Sequence, residues 1–199
     1  MRRADLKPQR KGHPLIKRRL AVAAAATATL GLALAPVASA AKKNEIRIVG
    51  GAKFKAGEYL KLDVRFKPRN LTVKSGATVT VVNKGTDPEP HTISFVKRAF
   101  LPKGFEFAAA GPLMAAHQVD PENEEAPPAV IKVDNGAPAA DQNAPLEVDS
   151  LGDDKQAGDS QFIAPDQKTI SFKVTAKKGS KLPYYCAVHP WMQGKITVN

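Results

Sequence analysis

Apolar residues fall at every second position in several separate stretches of the chain. Leu60, Leu62, Val64 and Phe66 alternate with Lys61, Asp63, Arg65 and Lys67. Val79 and Val81 alternate with Thr78 and Thr80, and Ile93 and Phe95 with Thr92 and Ser94. Ile170, Phe172 and Val174 alternate with Thr169, Ser171, Lys173 and Thr175, and Ile196 and Val198 repeat the pattern. A period of two is that of a strand with one face in a core. Turn formers separate the stretches: Pro68-Arg69-Asn70, Ser75-Gly76, Lys84-Gly85, Lys178-Gly179-Ser180 and Gly194. Short strands with one apolar face need a second sheet to cover that face, so the expected fold is an all-β sandwich. No long helical period lies between the strands, which excludes a βαβ arrangement.

The stretch from about Lys97 to Pro165 breaks the pattern. It is rich in Ala, Pro, Asp, Glu and Gly, with Pro121-Glu122-Asn123-Glu124-Glu125, Pro127-Pro128 and Ala137-Pro138-Ala139-Ala140. Structureless loops of that length are uncommon inside compact domains. Two local elements are expected within it: a short helix over Pro112–His117, with proline in its first turn, and a strand over Ala129–Val133. The remainder, above all Asn135–Ser160, reads as a loosely held surface excursion.

Residues 1–40 read as an export signal. A basic start runs to Leu20, an alanine-rich apolar stretch covers Ala21–Pro36, and Val37-Ala38-Ser39-Ala40 offers small residues where a signal peptidase cleaves. Cleavage is expected after Ala40, leaving residues 41–199 as a single domain without a membrane span. Arg18-Arg19 leaves the choice between the general and twin-arginine routes open. The signal also changes the meaning of the charge. It holds 8 of the 30 basic and 1 of the 19 acidic residues, which leaves 22 against 18, a net charge of +4. That modest excess gives no case for nucleic-acid binding.

One cysteine in an exported chain cannot form an internal disulfide. Its neighbours give it another use. In Tyr184-Tyr185-Cys186-Ala187-Val188-His189-Pro190-Trp191-Met192, a thiolate, an imidazole and a thioether stand within seven residues, spaced Cys-x2-His-x2-Met. Cys with His suits copper, and a weak axial Met adds to that signature. The segment is expected to be a loop between strands Thr169–Ala176 and Lys195–Val198, since a straight strand would send neighbouring side chains to opposite faces. A fourth ligand must come from elsewhere. His91, at the start of a strand in Pro90-His91-Thr92, is the best candidate, and His117 reads as a surface histidine. Of Tyr184 and Tyr185, alternation places one in the core and one at the surface.

Cys186-x2-His189-Pro190-x-Met192-x-Gly194-Lys195 closely resembles the ligand loop of cupredoxins, with a short spacing similar to that of amicyanins. Phe66–Asn83 resembles the cupredoxin strands leading to the first ligand, and Pro90-His91-Thr92 matches the histidine position. The resemblance covers roughly residues 60–97 and 165–199 and implies a Greek-key β-sandwich, here with a long, partly irregular insertion over about 97–165. It implies one type 1 copper held by His91 Nδ1, Cys186 Sγ and His189 Nδ1, with Met192 Sδ as the axial contact. It also implies that the Thr92 N–H points at the Cys186 sulfur and that Asn83 ties the ligand loops together. Pro190 has no N–H and cannot give that sulfur a further hydrogen bond.

The expected function is one-electron carriage by an exported, monomeric blue copper protein of the periplasm, cell envelope or extracellular space. His189 is expected to present its outer ring edge at the surface, within an apolar patch of Pro190 and Trp191 that suits transient docking of a redox partner. The alternative is a copper chaperone or buffer with the same ligands. A copper enzyme would need a second site with several more histidines, and only His117 is left over. A cysteine hydrolase fails for lack of a group to orient the base.

Overall fold

A computed structural model of the chain describes residues 44–86, 88–104, 111–123 and 126–199. The export signal expected over 1–40 lies outside them. In chain order the first strands are β1 (Glu45–Val49), β2 (Ala52–Lys55), β3 (Tyr59–Leu62), β4 (Arg65–Lys67), β5 (Asn70–Val73), β6 (Thr78–Asn83) and β7 (His91–Phe95). A short 3-10 turn (Arg98–Phe100) and a helix, α1 (Gly111–Ala116), follow. The remaining strands are β8 (Lys132–Asp134), β9 (Ala137–Pro138), β10 (Leu146–Val148), β11 (Ser160–Ile163), β12 (Thr169–Val174), β13 (Lys181–Tyr185) and β14 (Gln193–Val198).

Two sheets make the sandwich that the alternation predicts. One runs β10-β12-β6-β1-β4 and the other β5-β14-β13-β7-β11-β8-β9. Between them lie Ile46, Ile48, Val79, Val81, Ile170 and Phe172 from the first sheet, against Ile93, Phe95, Leu182, Tyr184 and Ile196 from the second. Aromatic rings meet edge to face at the centre: Phe66 with Tyr184 at 5.1 Å and Phe95 with Phe172 at 5.5 Å between centroids. Such contacts add to area burial through the ring quadrupoles.

The alternation fails at one end. Leu60 and Leu62 were expected in the core, but β3 pairs only with β2 in a separate two-stranded ribbon. Lacking a covering sheet, the ribbon leaves Phe54, Tyr59, Leu60 and Leu62 exposed. Only from Val64 and Phe66 onward does the pattern reach the core.

The insertion departs further from expectation. Its helix forms at Gly111–Ala116 and its strand at Lys132–Asp134, but 135–160 is no loose excursion. Leu146 and Val148 are buried in the main core through β10, which pairs parallel to β12. On the other sheet, β11 pairs with β7 and extends it to β8 and β9. A second apolar cluster gathers Val96, Leu113, Val130, Val133, Ala157, Tyr185 and Ala187. This explains why Tyr184 and Tyr185 are both buried: the insertion covers the face of β13 that would otherwise meet water.

Polar staples hold the insertion in place. The Asp159 carboxylate is fully buried and accepts the backbone N–H groups of Asn135, Asp149 and Ser150 at 2.6–2.8 Å. Burial pushes its pKa up, and the three donors pull it the other way. The Gln142 carboxamide accepts from Ile131 N and Lys132 N and donates to Lys132 O and Ala139 O. At Gly158 a Cβ would stand 2.4 Å from Phe95 O, so glycine is what lets this backbone lie against β7.

Candidate metal centre

His91 opens β7, an interior strand of the seven-stranded sheet whose five residues are all buried. By strand alternation it shares the core-facing side with Ile93 and Phe95. Cys186 directly follows β13. The sequence reading placed the ligand loop after Thr169–Ala176, yet Lys181–Tyr185 intervenes, a strand that Pro183 disguised. The loop is closed by its own backbone: Cys186 N–H donates to Met192 O at 3.0 Å and Met192 N–H to His189 O at 2.8 Å. The Gln193 side chain fastens it from outside, donating to Pro190 O and to Pro102 O. Gly194 lies opposite Tyr184 in the β13–β14 ladder. A Cβ there would stand 2.3 Å from the Tyr184 ring, so the glycine makes room for the largest side chain under the site.

His91, Cys186 and His189 converge, all buried, with their ligand atoms within 4.8 Å of one another. Cys186 Sγ lies 3.9 Å from His91 Nδ1 and 3.7 Å from His189 Nδ1. Donors sharing one first-row metal through bonds of about 2.0–2.3 Å and angles near 120° stand about 3.8 Å apart. The sulfur therefore stands from each imidazole nitrogen at the spacing a shared ion would need. Thiolate with two imidazoles is a set that suits copper. Met192, the expected axial ligand, is fully buried at the end of the same loop.

The sulfur sits in a prepared environment. Thr92 N–H donates to Cys186 Sγ at 3.3 Å. Burial pushes the thiol pKa up, while the backbone N–H groups of Thr92, His189 and Val188 and the Thr92 hydroxyl favour the thiolate. A bound cation would add its own charge to the second group of effects.

The chain matches the family of copper binding proteins that includes plastocyanin and azurin, over residues 55–199. It belongs to that family. Copper is thus the cofactor that both the family and the His91, Cys186, His189 donor set call for. No curated protein matches the chain. Solved structures similar to this cupredoxin include auracyanin A, a blue copper protein from Chloroflexus aurantiacus, at 24% identity over 78% of this chain and 98% of the other, with a TM-score of 0.38. A purple cupredoxin from Nitrosopumilus maritimus is 18% identical over 78% and 98%, with a TM-score of 0.36. Plastocyanin from Dryopteris crassirhizoma is 17% identical over 78% and 99%, with a TM-score of 0.35.

The other residues singled out in the sequence are distributed as follows. The Asn83 carboxamide oxygen accepts from Gly85 N–H within its own turn. The side chain that bridges the two ligand segments is Thr92, whose hydroxyl accepts Ala187 N–H at 2.9 Å. His189 was expected to expose its ring edge, but it is only 4% exposed, with the Trp191 ring edge-on at 5.2 Å. Pro190, expected in a surface patch, is buried as well, which leaves Trp191 as the half-exposed member. His117 is not a surface residue. It is 3% exposed and bonded through both ring nitrogens, to Val130 O and Ser160 Oγ. Sequence reasoning gave no role to Ser94 or Ser160: Ser94 reads as the outer face of a strand and Ser160 as the end of a loose excursion, and neither pattern shows that the two are buried against each other.

Proposed function

We propose that the protein is an exported type 1 copper protein that carries single electrons between partner proteins. On this reading residues 1–40 are a cleaved export signal. Residues 41–199 are then one cupredoxin-like domain with an insertion over about 97–165. The observation that carries the proposal is the convergence of His91 Nδ1, Cys186 Sγ and His189 Nδ1 in a chain of the copper-binding family. These three would be the strong ligands and Met192 Sδ a weaker fourth. Copper held there supplies a one-electron couple.

The chain's own residues make that couple fast. His91 is fixed by an interior strand, and Cys186, His189 and Met192 by a loop closed on itself. Donors held this firmly move little when the charge between them changes, which keeps reorganisation small. Burial of all three donors excludes water, and Thr92 N–H balances charge on the sulfur. Trp191, half-exposed and against the His189 ring, is the contact offered to a partner, with Pro190 supporting it from the buried side. Docking is brief, the protein is a monomer, and no nucleic acid is involved.

The test is to prepare residues 41–199 without metal, add copper(II), and record visible absorption and electron paramagnetic resonance. An intense blue or violet band with narrow hyperfine splitting, lost in Cys186→Ala, is the expected result. A pale spectrum with ordinary splitting in the unsubstituted protein refutes the type 1 assignment.

A further inference from the structure

Trp191 does not stand alone at the surface. It forms one wall of an open groove with Asp63, Val64, Arg65, Arg69 and Gln193. The groove holds about 240 Å³. That is below the roughly 300–1,000 Å³ of small-molecule pockets, so it suits the side chains of a partner rather than a free ligand. Behind Trp191 lies His189, with ring centroids 5.2 Å apart. Whatever fills the groove therefore rests against the ring that touches a metal-site histidine.

The groove is positively charged. Among the described residues, Arg65 and Arg69 form no ion pair. Arg65 donates through a terminal nitrogen to Asp63 O at 2.8 Å, and Arg69 donates through Nε to Gln193 O at 3.4 Å. A guanidinium carries several N–H donors, so each arginine keeps most of its fork for a further acceptor. Asp63 is the acid in the wall, and its carboxylate is tied back to Gly51 N–H at 2.8 Å. That bond, followed by the charges of Lys61, Arg65 and Lys53, holds its carboxyl below the usual range. Lys53 and Lys61 stand opposite each other in the β2–β3 ribbon and add to the field at the groove. The β1–β4 ladder continues it with Arg47 and Lys67, exposed and directly paired in register, against Glu45, which is bonded to Arg47.

We infer that this groove is the docking site for an acidic redox protein, whose carboxylates bond to Arg65 and Arg69 while its redox centre faces Trp191. The inference rests on the electron-carrier reading above and adds the charge of the partner. A guanidinium fork matches a carboxylate two bonds at a time. A local positive field also raises the rate of encounter with an acidic protein, an effect that salt removes. A lipid surface offers anions too, but it neither gives nor takes electrons and would cover the Trp191 edge.

Two hexacyanometallate anions stand in for the acidic partner. Hexacyanochromate(III) is a paramagnetic anion that exchanges no electrons with the protein and broadens nearby NMR signals. With the metal-free protein it is expected to broaden the backbone signals of Arg65 and Arg69 and the indole N–H of Trp191, and to lose that preference in Arg65→Glu/Arg69→Glu. With the copper(I) protein, hexacyanoferrate(III) takes one electron, leaving hexacyanoferrate(II) and copper(II). Its rate is expected to fall about tenfold or more in the double variant. The rate with the cationic oxidant tris(phenanthroline)cobalt(III) is expected to rise, and both changes to shrink as salt is added. Lys177→Glu/Lys178→Glu makes the same change of charge and is the control, since these exposed lysines precede β13 at the end away from Cys186. Arg65→Gln/Arg69→Gln removes charge without reversing it and carries the test if the reversed form does not fold. Equal effects from the lysine and arginine pairs, or broadening spread evenly over the exposed lysines, overturn the inference alone. So does sedimentation with phosphatidylglycerol vesicles that the arginine variant abolishes, which would assign the groove to a membrane. An unsubstituted protein with no blue or violet band overturns the electron-carrier reading itself, and with it the redox identity of the partner.

Discussion

Leu146→Ala tests whether the insertion is part of the core. Leu146 sits on β10, in the stretch whose composition reads as a loose surface excursion, yet it is 3% exposed in the main cluster. Its side chain loses about three carbons, and the surrounding sheet residues are held in ladders that relax little. Such truncations cost about 2–5 kcal/mol. For a domain of roughly 150 residues, about 3 kcal/mol corresponds to a fall in Tm of about 6–12 °C. A residue on a detached surface loop would change stability by less than about 0.5 kcal/mol. The neighbouring Glu147→Ala is the internal control, because Glu147 points outward to Lys173 at 3.1 Å and should fall within that small range. The assay is urea unfolding of the metal-free protein, so that copper binding does not mask the loss, with a check that the denaturant slope is unchanged. A Leu146→Ala midpoint indistinguishable from that of Glu147→Ala would refute the placement of β10 in the core.

Gly194→Ala is expected to destabilise by about 1–3 kcal/mol, because the new Cβ meets a Tyr184 ring that is fully buried and cannot swing aside; thermal unfolding measures it. Asp159→Asn replaces one accepting oxygen with an amine that faces backbone N–H groups and is expected to cost about 1–3 kcal/mol; faster amide exchange at Asn135 would report the lost bond. The His117 pKa is lowered by burial, so its folded value lies below the unfolded value of about 6.5. Its contribution is therefore fully present above pH of about 6.5 and is lost as pH falls through the folded value, the unfolded chain taking the proton first. The stability difference between the unsubstituted protein and His117→Gln, both metal-free, should shrink as pH drops below about 6.5, and a flat difference would contradict the burial.

The approach of Cys186 and His189 to one point was legible because three side chains of metal-binding type crowd one short segment and the chemistry of each is distinctive. His91 was legible because it stands at the start of a clear strand. Strands β6, β7, β12 and β14 follow from alternation alone. β1 was not recognised, although Ile46 and Ile48 alternate with Glu45 and Arg47 and are fully buried. β13 was hidden by Pro183. Leu146 and Val148 are an isolated apolar pair in a polar stretch, and only their parallel pairing with β12 gives them a partner. Leu60 and Leu62 erred the other way, for a perfect alternation says nothing about whether a second sheet arrives to cover it. The bonding of His117 depends on Ser160, 43 positions away, a separation across which no local pattern runs.

His91 and Cys186 are 95 positions apart, and the whole insertion lies between them. An ion bonded to both would convert that span into a closed ring, a removable cross-link tied around β8 to β13. Cross-links act by restricting the unfolded chain, and a permanent one enclosing about 100 residues is worth about 4.7 kcal/mol by loop entropy. Linkage makes the effect reciprocal. A loaded site resists opening of the enclosed segment, and any change that loosens β10 or β11 makes the chain release its metal more readily. Limited proteolysis within 135–160 would therefore slow on loading, although no residue of that stretch is a ligand.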